Sequence, residues 1–483
     1  MPPRVVVIGA GISGLAAGVE LRDRGIDVTV LEATGRAGGP IYTDCHDGYV
    51  IDAGPDSFLS TKPGGIQLAE RLGITGRIVN TRPDGGGTFI VRDGRMQPLP
   101  EGITMLVPTQ FRQILESPLL NLRGKSRLLA DYVIPARRGD EDEPVASFMR
   151  RRVGRQAFER LAEPLLSGIF AGDAEQLSIL STFPRLREAE RRHGGLIRAA
   201  LAARRDSSGA HITREYSPFV SFDSGLGSLT SAAMERIGAE QFHFDSSAVA
   251  IEPHPDGYRV ATSQGQAFES DGIVLATPAP IASTMLADLA PQASMHLATI
   301  PYVSSATVSM AFREADIDVE SGGRGFVVPR VEGLDLTAVT WSSRKFAGRA
   351  PEGTVLLRGF IGRAGNEAPA FLPDDRIIEV VRRDLAAITG LNADPLFARV
   401  YRWHNAMPQY HVGHTERVRS IEQELECRAG LALAGAALHG VGIPDCISSA
   451  TAAAARLAEQ LGASQSETSP GVGGGHTPQT TQM

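Results

Sequence analysis

Cysteine is scarce in this sequence. The 483 residues include only Cys45, Cys427 and Cys446, and no two of them form a C-x-x-C pair. This scarcity argues against a disulfide framework and against a cysteine metal site, and we predict no metal. It is also typical of a protein that works in a reducing cytoplasm.

Positive charge and long apolar runs are lacking as well. The formal net charge is -7, which argues against a nucleic-acid partner. No uninterrupted apolar run reaches the roughly eighteen residues that a membrane span needs. The first residues have the pattern of a strand and a turn rather than of a signal peptide. We therefore expect a cytoplasmic protein without an integral membrane segment.

What the sequence does contain is a strand, a glycine turn and a helix at its start. A β-branched run at 5–8 leads into G-A-G-I-S-G at 9–14, and apolar residues then follow at helical spacing. In such a turn Gly9 allows the reversal, Gly11 leaves room for a pyrophosphate, and Gly14 lets the helix pack on the strand. The helix N-terminus adds free amides and a positive dipole end. The pattern predicts a dinucleotide site.

The residues that follow favour FAD over NAD. A second strand at 27–31 ends at Glu32, whose carboxylate can accept both ribose hydroxyls and would repel a 2′-phosphate. Arg36-Ala37-Gly38-Gly39 matches the R-x-G-G that follows the ribose acid in many FAD oxidases and desaturases. Pro40 stands where a basic residue often follows the glycines.

Four further stretches resemble one group of FAD enzymes. They are G-P-D-S-F-L at 54–59, P-L-L-S-G-I-F-A-G-D at 164–173, W-H-N-A-M-P-Q-Y at 403–410 and G-V-G-I-P-D-C-I at 440–447. All four are similar to segments of the porphyrinogen oxidases, the heme-pathway flavoproteins that aromatise protoporphyrinogen IX or coproporphyrinogen III. The hairpin pattern at 88–99 is closer to the soluble Gram-positive type, because Thr88 stands where plant and animal enzymes have an arginine.

The turn pattern and this resemblance together give a set of expected contacts. A helix that begins near Pro444 can point amides at the flavin pyrimidine carbonyl. The predicted contacts to non-covalent FAD are Gly9, Gly11, Ile12, Ser13, Gly14, Glu32, Ala33, Arg36, Gly38, Gly39, Gly54, Pro55, Asp56, Ser57, Val249, Thr277, Trp403, Gly435, Gly442, Ile443, Pro444, Asp445 and Cys446. The predicted substrate contacts are Phe58, Leu59, Gly168, Ile169, Phe170 and Ala171. Cys446 is interpreted as a packing residue, and His404, His411, His414 and His439 as structural histidines.

The resemblance implies an α/β fold with α+β parts. It consists of a discontinuous Rossmann-like FAD-binding domain of the flavin amine oxidase superfamily, a mainly antiparallel substrate domain and a helical lobe. The predicted bounds are 1–60, 216–285 and 396–463 for the first, 61–105 and 286–395 for the second, and 106–215 for the lobe, with a disordered tail at 464–483. The lobe has 19 Lys and Arg against 14 Asp and Glu. A solvated face with internal ion pairs is the favoured interpretation, and peripheral membrane contact is the alternative.

The expected activity is oxidation of coproporphyrinogen III to coproporphyrin III, with oxygen as acceptor and hydrogen peroxide as by-product. The resemblance implies hydride transfer from a meso carbon to flavin N5. No acid/base dyad is apparent, so the catalytic residues stay unassigned. Protoporphyrinogen IX is the alternative substrate, chiefly because the family includes both activities. An amine oxidase, a carotenoid desaturase and a non-catalytic flavin or porphyrin carrier are further alternatives. Transient contact with a ferrochelatase is a suggested partnership, and the oligomeric state stays open.

Overall fold

A computed structural model describes residues 1–100, 116–207, 215–317 and 323–462, together with 103–104 and 107–108. The tail predicted to be disordered, 464–483, lies outside the described residues. The strands are β1 Arg4–Ile8, β2 Asp27–Leu31, β3 Thr43–His46, β4 Tyr49–Asp52, β5 Phe58–Leu59, β6 Ile78–Asn80, β7 Thr88–Arg92, β8 Arg95–Pro98, β9 Ile103–Thr104, β10 Val107–Pro108, β11 Phe219–Phe222, β12 Phe242–His243, β13 Ala248–His254, β14 Gly257–Thr262, β15 Ala267–Ser270, β16 Gly272–Leu275, β17 Tyr302–Arg313, β18 Gly325–Val327, β19 Leu336–Trp341, β20 Thr354–Ile361, β21 Phe397–Pro408 and β22 Leu431–Leu433.

The α-helices alternate with these strands and cluster between β10 and β11. They are α1 Ile12–Asp23, α2 Pro63–Arg71, α3 Leu122–Leu129, α4 Val145–Val153, α5 Arg155–Ala157, α6 Glu163–Phe170, α7 Ile179–Thr182, α8 Pro184–His193, α9 Leu196–Ser207, α10 Gly227–Ile237, α11 Ala279–Leu286, α12 Pro291–Ala298, α13 Ser342–Lys345, α14 Asp374–Thr389, α15 His414–Glu426 and α16 Ile443–Gln460. Within the described ranges, no helix combines the length and the apolar character that a membrane crossing requires.

A five-stranded parallel sheet carries the glycine turn. Its order is β12-β2-β1-β16-β22, and Val6 of β1 pairs with Thr29 of β2 and Ile273 of β16. The central strands are apolar on both faces because helices cover both sides. Helices α1, α10 and α16 pack on one face, and α11 and α12 pack on the other. This doubly wound arrangement confirms the predicted Rossmann-like fold.

A second, seven-stranded sheet lies beside the first. Its order is β21-β17-β20-β19-β18-β7-β8, and all pairs are antiparallel except β18 with β7. The predicted hairpin at 88–99 is present, with Asp93 and Gly94 both at positive φ in the turn. Helix α14 buries Ile377, Val381 and Leu385 against the sheet.

The strand pairing differs in places from the predicted domain bounds, which stay predictions elsewhere. Strand β21 lies after the bound at 396, yet it pairs with β17 from Ala311 to Tyr302 at the edge of the seven-stranded sheet. Helices α2 and α12 fall in the predicted substrate domain, yet their apolar residues join the cores that cover the parallel sheet. Sequence order could not separate these units because the chain crosses between the two sheets several times.

The described helices between 116 and 207 have a core of their own around Phe148 and Leu166. Several arginines here face inward. Arg152 is fully buried and forms ion pairs with Asp131 and Glu190, which are buried as well. These residues support the internal ion pairs of the favoured interpretation but not its solvated face, because Arg152 is buried. Membrane contact stays a prediction.

Candidate active site

The glycine turn between β1 and α1 has little space except at one point. A Cβ on Gly14 would lie 1.9 Å from the carbonyl oxygen of Gly9, and a Cβ on Gly9 would lie 2.8 Å from the carbonyl oxygen of Ala276. A Cβ on Gly11 would meet no described atom within 4 Å. Gly11 is the N-cap of α1, whose first turn contains no acidic residue and has no side-chain cap. An anion therefore has space and amide donors at Gly11.

Glu32 lies at the next strand end, within reach of this turn. One carboxylate oxygen accepts the amide of Ala10 at 2.8 Å, and the other accepts the amide and hydroxyl of Thr34 at 3.0 and 2.8 Å. Ala33 is exposed, and the Val249 side chain is 51% exposed on β13. The carboxylate is fixed while keeping free lone pairs, so it can accept further hydroxyls.

The loop after Glu32 folds back onto the turn. The amide of Gly38 donates to the carbonyl of Ala10 at 2.8 Å, and Gly38 and Gly39 both have positive φ. Arg36 donates to the carbonyl of Gly39 at 2.7 Å and lies over the Tyr42 ring at 4.6 Å. Arg36 therefore braces the loop itself, and its predicted contact to a phosphate stays a prediction.

Three distant stretches meet at Gly54. A Cβ on Gly54 would lie 2.0 Å from the carbonyl oxygen of Pro40 and 3.4 Å from the Trp403 ring. The Trp403 indole donates to the carbonyl of Ala53 at 3.3 Å. Only a residue without a side chain fits there. The structure thus brings the Gly39-Pro40 loop, the Gly54-Pro55 turn and Trp403 together, as their shared assignment to the cofactor requires.

Asp56 and Ser57 are held by Lys345 of helix α13, and Asp56 is also held by Arg358 of β20. Lys345 donates to Asp56 at 2.8 Å and to Ser57 at 2.9 Å, and Arg358 pairs with Asp56 at 3.2 Å. Burial alone would raise the pKa of Asp56, but the attraction of Lys345 and Arg358 is stronger, and the pKa lies well below its usual range. These side chains are therefore engaged in an ion cluster, and their direct contact with the cofactor stays a prediction.

Sequence reasoning missed both cations. Lys345 ends α13, in a stretch without a recognisable motif. Arg358 did leave a signal, because it interrupts the apolar run T-V-L-L-R-G-F-I of β20. A charged residue in the middle of a buried strand needs a buried partner.

Helix α16 begins where the sequence predicted a flavin-facing helix. Gly442 is its N-cap, Ile443 and Pro444 open its first turn, and no side chain caps its amides. Asp445, in the first turn of α16, forms an ion pair with Lys62 at 2.6 Å. The N-terminus of α16 can therefore offer amides and a positive dipole end to a ring carbonyl.

Two further predicted residues line the sheet end between α1 and α16. The hydroxyl oxygen of Thr277 is buried and has no hydrogen-bond partner within the described part of the chain. Gly435 has a φ of +143°, and a Cβ on it would lie 3.8 Å from the carbonyl oxygen of Thr277. An orphaned buried hydroxyl usually indicates an absent partner. With the open space at Gly11 and the acceptor Glu32, these residues fit a flavin dinucleotide.

Only some of the substrate residues predicted on α6 have open surface. Gly168 would place a Cβ in open space, and Ile169 is 50% exposed. Ala171, in the left-handed region, ends the helix. Phe170 is buried against Phe183 and Tyr410. The helix turns the Phe170 ring into the core, and its contact with substrate stays a prediction.

Phe58 is also a core residue. Its ring is 3% exposed, packs near Phe222 and occupies the space beside Gly65. Strand β5 pairs with β11 and turns the ring inward, and the substrate contact of Phe58 stays a prediction. Leu59 is half-buried, and its contact with substrate stays a prediction.

Tyr410 and His414 hold the segment that leads into α16. Their rings stack at 4.1 Å. The Tyr410 hydroxyl donates to the carbonyl of Ala436 and accepts the amide of Gly440 at 3.0 Å, while the ring nitrogen Nε2 of His414 lies 3.1 Å from the carbonyl of Leu438. His414 therefore has the structural role predicted for it. Among the described residues, no cluster of three or more His, Cys, Asp or Glu could hold a metal ion.

We expect His414 to make the protein sensitive to acid. Burial lowers its pKa to about 4, and the neighbouring Arg417, His439 and His411 act in the same direction. The unfolded chain, with a pKa near 6.5, therefore binds a proton that the folded protein resists. Stability should be complete above about pH 6.5 and fall towards pH 4, by about 3 kcal/mol from this residue.

Urea unfolding at about pH 7 and about pH 4.5 would measure this loss. The matched variant His414→Gln keeps a donor for Leu438 but does not titrate, so its stability should fall less between the two pH values. Equal losses in the wild type and the variant would contradict the assignment to His414.

Comparison with known proteins agrees with this geometry. Residues 12–458 match the family described as flavin containing amine oxidoreductase. The chain is 35% identical to the coproporphyrinogen III oxidase of Bacillus subtilis (strain 168), over 93% of this chain and 96% of that protein. It is 34% identical to the coproporphyrinogen III oxidase of Propionibacterium freudenreichii, over 92% and 89%.

A solved structure extends the likeness to the whole fold. The crystal structure assigned to a protoporphyrinogen oxidase of Exiguobacterium sp. 255-15 superimposes with a TM-score of 0.83 at 31% identity, covering 96% of this chain and 99% of that one. The chain therefore belongs to the flavin containing amine oxidoreductases, in the group that includes the porphyrinogen oxidases.

Proposed function

We propose that the protein is an FAD-dependent oxidase that converts coproporphyrinogen III to coproporphyrin III in heme biosynthesis. The observation that carries the proposal is the 35% identity to a coproporphyrinogen III oxidase over 93% of the chain. It spans both sheets, the helices between them and α16. The conversion removes six hydrogen atoms, so it consumes three oxygen molecules and yields three of hydrogen peroxide.

When bound, FAD supplies a two-electron acceptor at N5 that oxygen can reoxidise. The contribution of the protein chain is to position the flavin and the substrate. The amides at the start of α16 would stabilise negative charge on the flavin ring. Gly54 and Trp403 would lie beside the flavin, and Gly168 and Ile169 give a macrocycle an open surface. The pyrrole proton can leave to solvent, so no protein base is required. Aromatisation makes the reaction favourable, and placement is the main task.

The residue at one position of the sequence favours coproporphyrinogen III over protoporphyrinogen IX as the substrate. Thr88 is the exposed first residue of β7, where the plant and animal protoporphyrinogen oxidases that the sequence resembles have an arginine. Two relatives are named for coproporphyrinogen III. The Exiguobacterium structure carries the other name, so protoporphyrinogen IX is the second candidate.

FAD is proposed to be held without a covalent bond. Cys446 is the cysteine beside the flavin-facing turn, and burial raises the pKa of its thiol to about 12. Its sulfur is 3.5 Å from the carbonyl of Gly440, and the side chain is packed in the core of α16. A neutral, enclosed thiol is a poor nucleophile. Flavin should therefore remain in solution when the protein is precipitated with acid.

Turnover of both substrates tests the function. Freshly reduced coproporphyrinogen III and protoporphyrinogen IX are supplied at equal concentration in air, and porphyrin fluorescence is followed against a control without enzyme. We expect coproporphyrin to form faster. Faster protoporphyrin would select the second candidate. Anaerobic mixing would separate an enzyme, whose flavin is bleached by substrate, from a carrier, whose flavin stays yellow.

The partners of the protein and its cellular location are further proposals. Oxygen as the acceptor follows from the proposed oxidase activity. Delivery of the product to a ferrochelatase, peripheral membrane contact and a cytoplasmic location stay predictions from the sequence.

A further inference from the structure

Arg358 is a buried cation with an unusual set of partners. It lies in the middle of β20 and is 4% exposed, with its guanidinium over the Phe360 ring at 4.6 Å. Moving a guanidinium out of water is unfavourable by several kcal/mol unless its N–H groups are bonded. The location of those partners therefore indicates what this residue does.

The partners of Arg358 lie on one short segment, residues 52–56, which begins at the last residue of β4. One terminal nitrogen of Arg358 donates to the carbonyl oxygens of both Asp52 and Gly54, at 2.6 Å each. The other terminal nitrogen pairs with the Asp56 carboxylate at 3.2 Å. A single side chain thus fixes three alternate residues of the 52–56 segment, a geometry that the planar fork of arginine allows and the point charge of lysine does not.

That segment forms one wall of the predicted flavin position. Gly54 touches the Pro40 carbonyl on one side and the Trp403 ring on the other, with no room for a side chain. Trp403 in turn donates to Ala53. A shift of Gly54 would therefore move the wall formed by all three stretches.

We propose that Arg358 is a positioning residue that holds the Gly54–Pro55 turn against Pro40 and Trp403 and so sets the distance between flavin and substrate. The inference rests on the proposed placement of flavin at this turn, but not on the identity of the substrate. Arg358 belongs to the seven-stranded sheet, and the turn follows β4 of the two-stranded sheet β3-β4, so one side chain couples the turn to the seven-stranded sheet.

Trp403 provides a readout that does not depend on turnover. The chain has two tryptophans, and the other, Trp341, is buried in the seven-stranded sheet. The substitution Trp341→Phe leaves Trp403 as the sole tryptophan. In the holoenzyme the fluorescence lifetime of Trp403, and its quenching by acrylamide, then report on the packing of the 53–54 turn.

The test compares Arg358→Met and Arg358→Lys with a matched control, all in the Trp341→Phe background. The control is Arg127→Met, since Arg127 also donates to three backbone carbonyls, those of residues 150, 151 and 152, but far from the turn. We expect Arg358→Met to raise the quenching constant of Trp403 at least about twofold and to lower kcat at least about tenfold, with a smaller change in KM. Arg358→Lys should be intermediate, and Arg127→Met should change neither.

Two results would overturn the inference. One is a Trp403 signal and a kcat for Arg358→Met that are unchanged from those of the Trp341→Phe parent. The other is an equal change in both variants, which would indicate general destabilisation. If Arg358→Met does not fold, Arg358→Lys decides in the same way against the control. Wild-type turnover on neither porphyrinogen would contradict the proposed function while leaving the Trp403 comparison valid.

Discussion

Replacing Gly11 by alanine is expected to leave the protein folded and to raise the dissociation constant for FAD at least tenfold, about 1.4 kcal/mol. The Cβ position of Gly11 has no described atom within 4 Å, and its φ of -68° suits any residue. The added methyl group therefore meets nothing in the protein itself. It does enter the space into which the first amides of α1 point, where a pyrophosphate would lie.

The same substitution at Gly14 should have the opposite profile. A Cβ there would lie 1.9 Å from the carbonyl oxygen of Gly9, so helix and turn must separate, at roughly 1–3 kcal/mol or more. Alanine would otherwise stabilise a helix by about 1 kcal/mol relative to glycine, so a loss of stability is diagnostic. Thermal unfolding and FAD titration of both variants provide the comparison. A Gly11→Ala protein that binds FAD as tightly as the wild type would exclude the phosphate site.

Replacing Arg152 by methionine is expected to destabilise the helices around it by roughly 3–5 kcal/mol. Arg152 donates to the Asp131 carboxylate at 2.5 Å and to the carbonyls of Ile134 and Pro135 at 3.1 and 3.2 Å, with no exposed surface. The variant leaves the Asp131 carboxylate buried with only part of its hydrogen bonds. Removing one partner of a buried pair is far more damaging than removing a surface pair.

Arg155→Met is the matched control from the same lobe. Its side chain is 82% exposed and pairs with Glu159 at 2.7 Å one turn along, which is worth at most about 0.5 kcal/mol. Chemical unfolding followed by far-ultraviolet circular dichroism compares the two. A difference below about 1 kcal/mol would show that the buried pair contributes little.

The parts of the fold that the sequence predicted well are those whose signals are local. The strand at 27–31 appears with the predicted bounds, and the predicted glycine turn starts at Gly9 and leads into α1 at Ile12. In each, periodicity and glycine placement within a short window decide the structure. The hairpin turn at Asp93 and Gly94 is determined in the same way.

What could not be predicted depends on partners far along the chain. The residues next to Phe58 in the sequence do not indicate whether its ring faces a substrate or a core. Only the pairing of β5 with β11 determines the orientation of the ring. The ion cluster of Asp56 could not be predicted, because its partners Lys345 and Arg358 are about three hundred residues away. The sequence of β21 predicts a strand but not the sheet to which it belongs, because strand pairing leaves no signal in the local sequence.

The ion pair between Lys62 and Asp445 has a consequence for biosynthesis. The two residues are 383 positions apart, and α1 and α2 both lie against α16 in one core. A ribosome adding about 5–20 residues per second needs roughly 20–80 s to pass from one to the other. During that interval the apolar face of the first βαβ unit lacks the cover that α16 provides. The nascent chain therefore presents its nucleotide-binding end to chaperones and to aggregation long before it can acquire its cofactor.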